Sequence, residues 1–233
     1  MNVAIRRETA PEPSYDCPLC PRLNSFLAEW RAREPGWYNG PVPTFVPGEG
    51  DAAVRLLVVG LAPGLRGANR TGRPFTGDYA GDLLYSTLIR FGFARGEFRA
   101  RPDDGLELIG TAITNAVRCV PPGNKPESSE INTCRGFLSA TIDRFANLRA
   151  IVTLGAIAHQ STIRALGGRV AAHPFRHGAE TAIGGLSVFS SYHCSRYNTN
   201  TGVLTEQMFV AVFAAVARAL EADRPSAADA PSN

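Results

Sequence analysis

A chain of 233 residues, 44% hydrophobic and 19% charged, reads as an ordinary globular protein with one large α/β domain and a sizeable core. Its net charge of +3 is mild, and its cations lean towards arginine, the planar cation suited to phosphate, so nucleic acid is permitted as a partner without being required. No apolar run reaches the roughly 18 residues of a membrane span. MNVAIRRETAPEPS lacks a signal-peptide core, so a cytoplasmic protein is expected.

In chain order, residues 1–14 are polar and proline-bearing and read as a mobile arm. A single domain is expected over 15–221, followed by a solvated, disordered tail at 222–233. Cys17 and Cys20 precede a helical pattern of Leu23, Phe26, Leu27 and Trp30. A loop rich in Pro, Gly and aromatics then leads to a first strand at 54–59, bounded by Gly60. Its unbroken apolar run suits a strand buried on both faces. A glycine-rich loop follows, carrying Asn69, Arg70, Arg73, Phe75, Thr76 and Asp78, and a helix is expected over 79–91. A second strand is read within 106–119, a helix over 128–145 and a third strand at 150–154. Gly155 opens a helix through 166, residues 171–185 read as loop with at most a minor strand, and 186–190 as a fourth strand. The last helix, 203–221, presents a stripe of Leu204, Met208, Val212, Ala215 and Ala219.

Strands alternating with helices imply a mostly parallel sheet covered on both faces, whose carboxyl ends share one edge. Those ends read GLAPG, TNAVRC, LGAIAHQ and SSYHCSRYN. Three of the four are polar or glycine-rich, the pattern of a site assembled from separate loops. Each candidate also has a plainer use. Asp78 before a helix is a good N-cap, as is Thr76; Phe75 suits a core; Asn115 and His193 suit buried structural roles.

Four cysteines fall into two groups, Cys17 with Cys20 and Cys119 with Cys134. A disulfide framework is not expected in a cytosolic chain of this size. Four thiolates on one centre fit the layout. Zinc ribbons usually show a second C-x2-C knuckle, absent here, and a [4Fe–4S] site tolerates spread ligands better. Zinc and four unrelated buried thiols stay open on spacing alone.

The set GLAPG-x-x-GANRTGRPFTGD, TNAVRC-x-PPGNKP, the four cysteines and SYHCS-x-x-N-x-x-TG resembles uracil-DNA glycosylase family 5, over roughly residues 17–221. Family 4 carries Glu where this chain has Leu61. The resemblance implies an α/β/α sandwich on a four-stranded, mostly parallel sheet. It implies a [4Fe–4S] cluster on Cys17, Cys20, Cys119 and Cys134, and hydrolytic removal of uracil from DNA, leaving an abasic site. Other deaminated bases, hypoxanthine among them, are implied as substrates, reached by flipping the base out of the helix.

By the same resemblance Asp78 matches the proposed catalytic carboxylate, placed to stabilise a cationic sugar and orient water. His193 can donate to the departing base, Asn115 can meet the edge of uracil, and Phe75 can stack on it. Gly60, Leu61 and Ala62 would offer backbone groups and little bulk. Asn69, Arg70, Arg73, Lys125, Ser195 and Arg196 are placed as DNA contacts, the cations serving equally well as solvated surface charges. Arg196 or Tyr197 could wedge into the gap left by the flipped base. Cys194 stands where the family has proline, which is expected to loosen that loop. A monomer associated with the nucleoid is expected. Two rivals are a non-catalytic iron–sulfur DNA-binding module and a nucleotide-binding transferase, although no GxGxxG or GxxxxGK[ST] pattern occurs.

Overall fold

The computed structural model describes residues 11–223. The chain runs through α1 (Pro21–Arg33), β1 (Leu56–Gly60), α2 (Ala68–Thr71), α3 (Tyr79–Arg90), β2 (Ala94–Arg95), β3 (Glu107–Leu108) and β4 (Thr111–Asn115). It continues through α4 (Ser128–Arg144), β5 (Ala150–Leu154), α5 (Ala156–Ala165), β6 (Glu180–Ile183), β7 (Leu186–Ser191), α6 (Arg196–Asn200) and α7 (Glu206–Ala222). Among the described residues no helix is long and apolar enough to cross a membrane.

The main sheet has the order β4-β1-β5-β7-β6; its first four strands are parallel, and β6 pairs antiparallel with β7. Every residue of β1, β4 and β5 is buried, as strands must be when helices cover both faces of the sheet. Along β1 the side chains alternate. Leu56 and Val58 join a core with Leu84, Leu88, Phe209 and Phe213 of α3 and α7. Leu57 and Val59 join Leu138, Ile142, Ala158 and Ile163 of α4 and α5. The result is an α/β/α sandwich. From β1 the chain crosses one face to β4, then crosses the opposite face to β5. The carboxyl ends of β1 and β5 therefore flank a topological switch point, where open α/β sheets form crevices.

Several boundaries differ from expectation. The sheet has five strands rather than four, because residues 180–183 form β6 within the expected loop. Gly184 and Gly185, both at positive φ, close a tight hairpin to β7, and the half-exposed alternation of β6 gives little apolar signal. The single strand read within 106–119 is two: β3 pairs with β2 in a small ribbon, Gly110 turns at positive φ, and β4 ends at Asn115. In α7 the buried face is Phe209, Val212, Phe213, Val216 and Leu220. Met208, Ala215 and Ala219 flank it, partly buried.

The described part of the expected arm packs against the domain. Glu12 accepts from Arg118 Nη1 at 2.9 Å, and the Pro11 carbonyl accepts from Thr141 Oγ1 at 2.9 Å. Residues 1–10 lie outside the described residues. At the other end α7 includes Ala222 and Asp223 pairs with Arg149 at 2.7 Å; the rest of the expected tail, 224–233, lies outside the described residues.

Candidate functional site

Parallel register places Gly60 at the end of β1 directly beside Asn115 at the end of β4. Gly60 has no side chain for a physical reason: a Cβ there would collide with the Asn115 amide oxygen and stand 2.6 Å from Phe75 Cζ. Two other glycines do the same for Asp78, whose Oδ2 packs against the bare Cα atoms of Gly64 and Gly67. Phe75 itself is buried at φ +53°, a conformation that costs about 1–3 kcal/mol in a non-glycine residue and persists only where neighbours over-determine it. The glycine loop is thus shaped around three side chains.

Asp78 is the residue before α3, yet its side chain makes no capping bond, and its Oδ1 is buried without a hydrogen-bond partner. Burial raises its carboxyl above the usual aspartate range; the amides of Ala80 and Gly81 oppose this and Asp82 adds to it. His193 follows β7 by two residues, with its imidazole stacked towards Phe75. Burial pushes it down to about 4, so the neutral ring is the form present near neutral pH.

These groups open on one cavity of about 640 Å³. Asp78, Asn115, His193, Phe75, Leu61 and Ala62 all line it, and Ala68 and Ala80 leave its walls low. The rim carries Arg66, Tyr79, Asn124, Ser195 and Arg196, with the Arg196 guanidinium 5.3 Å from the centre of the Tyr79 ring. Arg66, Tyr79 and Asn124 carry no signal of their own in the sequence. Each sits inside a motif that does, Tyr79 immediately after Asp78 and Asn124 within PPGNKP.

Two expected DNA contacts are corrected. Asn69 is fully buried and donates to Asn39 Oδ1 at 2.8 Å; it is internal and cannot reach a backbone. Arg73 is buried in a bidentate pair with Asp104, at 2.8 and 2.7 Å, and donates to Thr76 Oγ1 at 2.8 Å. Its donors are committed to holding the loop, and the same pairing keeps Asp104 well below the usual carboxylate range against its burial. Arg70 and Lys125 are exposed, outside the cavity lining, and Arg196 is exposed at its rim. Ser195 is the N-cap of α6, accepting from Asn198 N at 3.4 Å.

The loop bearing His193 is also tighter than expected. Cys194 is fully buried and donates through Sγ to the Ala80 carbonyl at 3.4 Å, tying the loop to the first turn of α3. The His193 carbonyl accepts from Asn198 Nδ2 at 2.8 Å, and Tyr192 N donates to His177 Nδ1 at 3.1 Å.

Cys17, Cys20, Cys119 and Cys134 are all free and line one narrow space with Leu23 and Phe137, and Ala62 of the cavity wall packs against the same cluster. The Arg118 amide donates to Cys134 Sγ at 3.3 Å. Burial first, and then the charges of Cys134, Glu130 and Cys17, push the Cys20 thiol up to about 11. Among the described residues no three His, Cys, Asp or Glu side chains are placed to hold a single metal ion.

Comparison with known proteins bears on this site. The model of the uracil DNA glycosylase superfamily matches residues 47–217. The chain is 42% identical over 208 residues to the type-5 uracil-DNA glycosylase of Thermus thermophilus, covering 88% of this chain and 94% of that protein. It is 38% identical over 201 residues to the type-5 uracil-DNA glycosylase of Pyrobaculum aerophilum, covering 84% and 86%. Likeness to the type-4 uracil-DNA glycosylase of Thermotoga maritima is less extensive, 34% over 151 residues, covering 64% and 69%.

Proposed function

This chain belongs to the uracil DNA glycosylase superfamily, among its type-5 enzymes, and is a DNA repair glycosylase that excises uracil; we propose that Asp78, Asn115, Phe75 and His193 form the pocket that does so. The observation that carries this reading is the unpartnered, buried oxygen of Asp78 in the wall of a cavity shared with Asn115 and His193. A desolvated carboxylate with one oxygen left unpartnered suits a cation that appears only during reaction.

Uracil leaves when the C1′–N1 bond breaks and the base takes the electron pair. Positive charge develops on the deoxyribose and Asp78 stabilises it. Asp78 also orients the attacking water, whose oxygen bonds to C1′; the proton released from that water neutralises the departing base anion through solvent. Neutral His193 donates a hydrogen bond to the base as its negative charge grows, with no prior proton to lose. Asn115 offers one donor and one acceptor to the edge of the pyrimidine, and Phe75 stacks on its face, a contact worth about 1–3 kcal/mol that is tolerant of base identity. The low alanine walls and the 640 Å³ volume support acceptance of larger deaminated bases such as hypoxanthine. The test is release of uracil or hypoxanthine from duplex oligonucleotides, read by alkali cleavage at the abasic site, with Asp78→Ala and His193→Ala alongside. Intact strands from wild type would reject the reading.

Cys17, Cys20, Cys119 and Cys134 would hold a [4Fe–4S] cluster. The donor set fits: four free thiols line one space, the all-thiolate ligation that such a cluster takes. When bound, the cluster would serve as a clasp joining the segment before α1 to the Cys119 loop and α4. Iron and sulfide analysis, with absorption at about 400 nm, tests it; a protein carrying zinc alone would overturn it.

A further inference from the structure

Helices α4 and α5 pack side by side, and a groove of about 600 Å³ opens between them. Arg135 and Asn132 of α4 face Arg164 and Gln160 of α5 across it, and no carboxylate lines it. Arg135 donates from Nη2 to Asn132 Oδ1 at 2.7 Å, while its Nε is buried without a partner. Neither arginine forms an ion pair among the described residues. Two guanidiniums facing one groove repel unless an anion lies between them.

The position of the groove says which anion. Asn124 stands on the rim of the catalytic cavity, and Pro126 and Ser128 wall the groove. The five residues from Asn124 to Ser128 span at most about 14 Å end to end even when fully extended. DNA rises about 3.4 Å per nucleotide along a strand, so the near wall of the groove begins within about four nucleotide rises of the cavity rim. Exposed Lys125 lies between the two. We propose that the groove between α4 and α5 is a second DNA-backbone site, where Arg135 and Arg164 hold a phosphodiester of the strand flanking the damaged nucleotide. The inference rests on the glycosylase reading above.

The test measures Kd for Arg135→Gln, Arg164→Gln and the double variant on a uracil duplex of about 30 base pairs, between about 50 and 200 mM salt. Arg218→Gln, an exposed position on α7 in the opposite layer, controls for net charge. For every phosphate that a variant no longer neutralises, the slope of log K against log salt falls by about 0.9, so Kd changes about 3.5-fold less over that range. The double variant should bind the long duplex more weakly with this reduced slope, while Arg218→Gln matches wild type. Unchanged slope and Kd on the long duplex would overturn the proposal. Arg164→Gln lies on an exposed helix surface, so it carries the test if the Arg135 variants do not fold. Wild type that released no uracil would sink the glycosylase reading; wild-type excision with an unaltered variant slope would sink only the groove.

Discussion

The imidazole of His193 and the ring of Phe75 stand 6.0 Å apart, centroid to centroid, with their planes 27° from parallel. Phe75 reaches that position only because Gly60 lacks a Cβ and Gly81 makes room for the Phe75 carbonyl. One aromatic face thus helps keep water from the histidine, and burial is the cause of its lowered pKa.

The first prediction follows from that packing. His193 titrates at about 4 in the fold and near 6.5 in an unfolded chain. Below 6.5 the unfolded state binds the proton more readily, so the fold loses stability as pH falls from 6.5 towards 4. Phe75→Ala should hydrate the ring, move its NMR titration up towards 6.5 and flatten that loss. An unmoved titration would show that Phe75 is not what dries it. His193→Ala should lower kcat by about 10²–10³-fold, the cost of one donor to a developing anion.

Asp78→Asn should lower kcat by about 10²–10⁴-fold and raise Tm. The carboxyl of Asp78 is raised in the fold above its ordinary value of 3.8, so ionising it disfavours the folded state. Its penalty is absent below 3.8, grows as pH climbs through the folded pKa and is complete above it. The Tm advantage of the variant should therefore appear at neutral pH and vanish in acid; the same advantage at every pH would assign it to something other than charge.

Gly60→Ala places a methyl against Asn115 and Phe75. It should destabilise the protein by about 1–3 kcal/mol through overpacking, and should lower kcat/KM for uracil by more than that loss of folded protein explains. Denaturant melts beside single-turnover rates separate the two effects.

Arg73→Ala should unfold rather than unbind. Removing one member of the buried pair with Asp104 strands a carboxylate and costs about 3–5 kcal/mol. In the folded fraction the salt dependence of DNA binding should match wild type. A reduced slope would restore Arg73 as a phosphate ligand.

Much of the site is legible in the sequence because its parts sit where patterns are strong. β1 is a continuous apolar run and β5 nearly so, and three of the four strand ends are polar or glycine-rich. Parallel connection then forces those ends to one edge, so Asp78, Asn115 and His193 meet in one cavity. β6 escapes a sequence reading because a half-exposed edge strand of four residues has little apolar signal of its own. The buried face of α7 lies one residue away from the expected stripe because Phe209 and Phe213, rather than the alanines beside Val212, point at the sheet. The missing proline makes the Cys194 loop look loose; the thiol bond to Ala80 comes from a helix over a hundred residues earlier and leaves no local trace.

By itself the sequence determined the layered architecture, the edge of the sheet that carries the site, and three of the side chains that meet there. The first two follow from periodicity and chain connectivity, which are local or nearly so; the three side chains follow from the resemblance of their motifs to a known family. Only the tertiary structure decided which polar groups face outward: Asn69 and Arg73 look like surface residues until Asn39 and Asp104, thirty and thirty-one positions away, take up their donors. Whether an arginine meets solvent, DNA or a buried carboxylate depends on which partners folding brings beside it, and a stretch of sequence does not contain its distant neighbours.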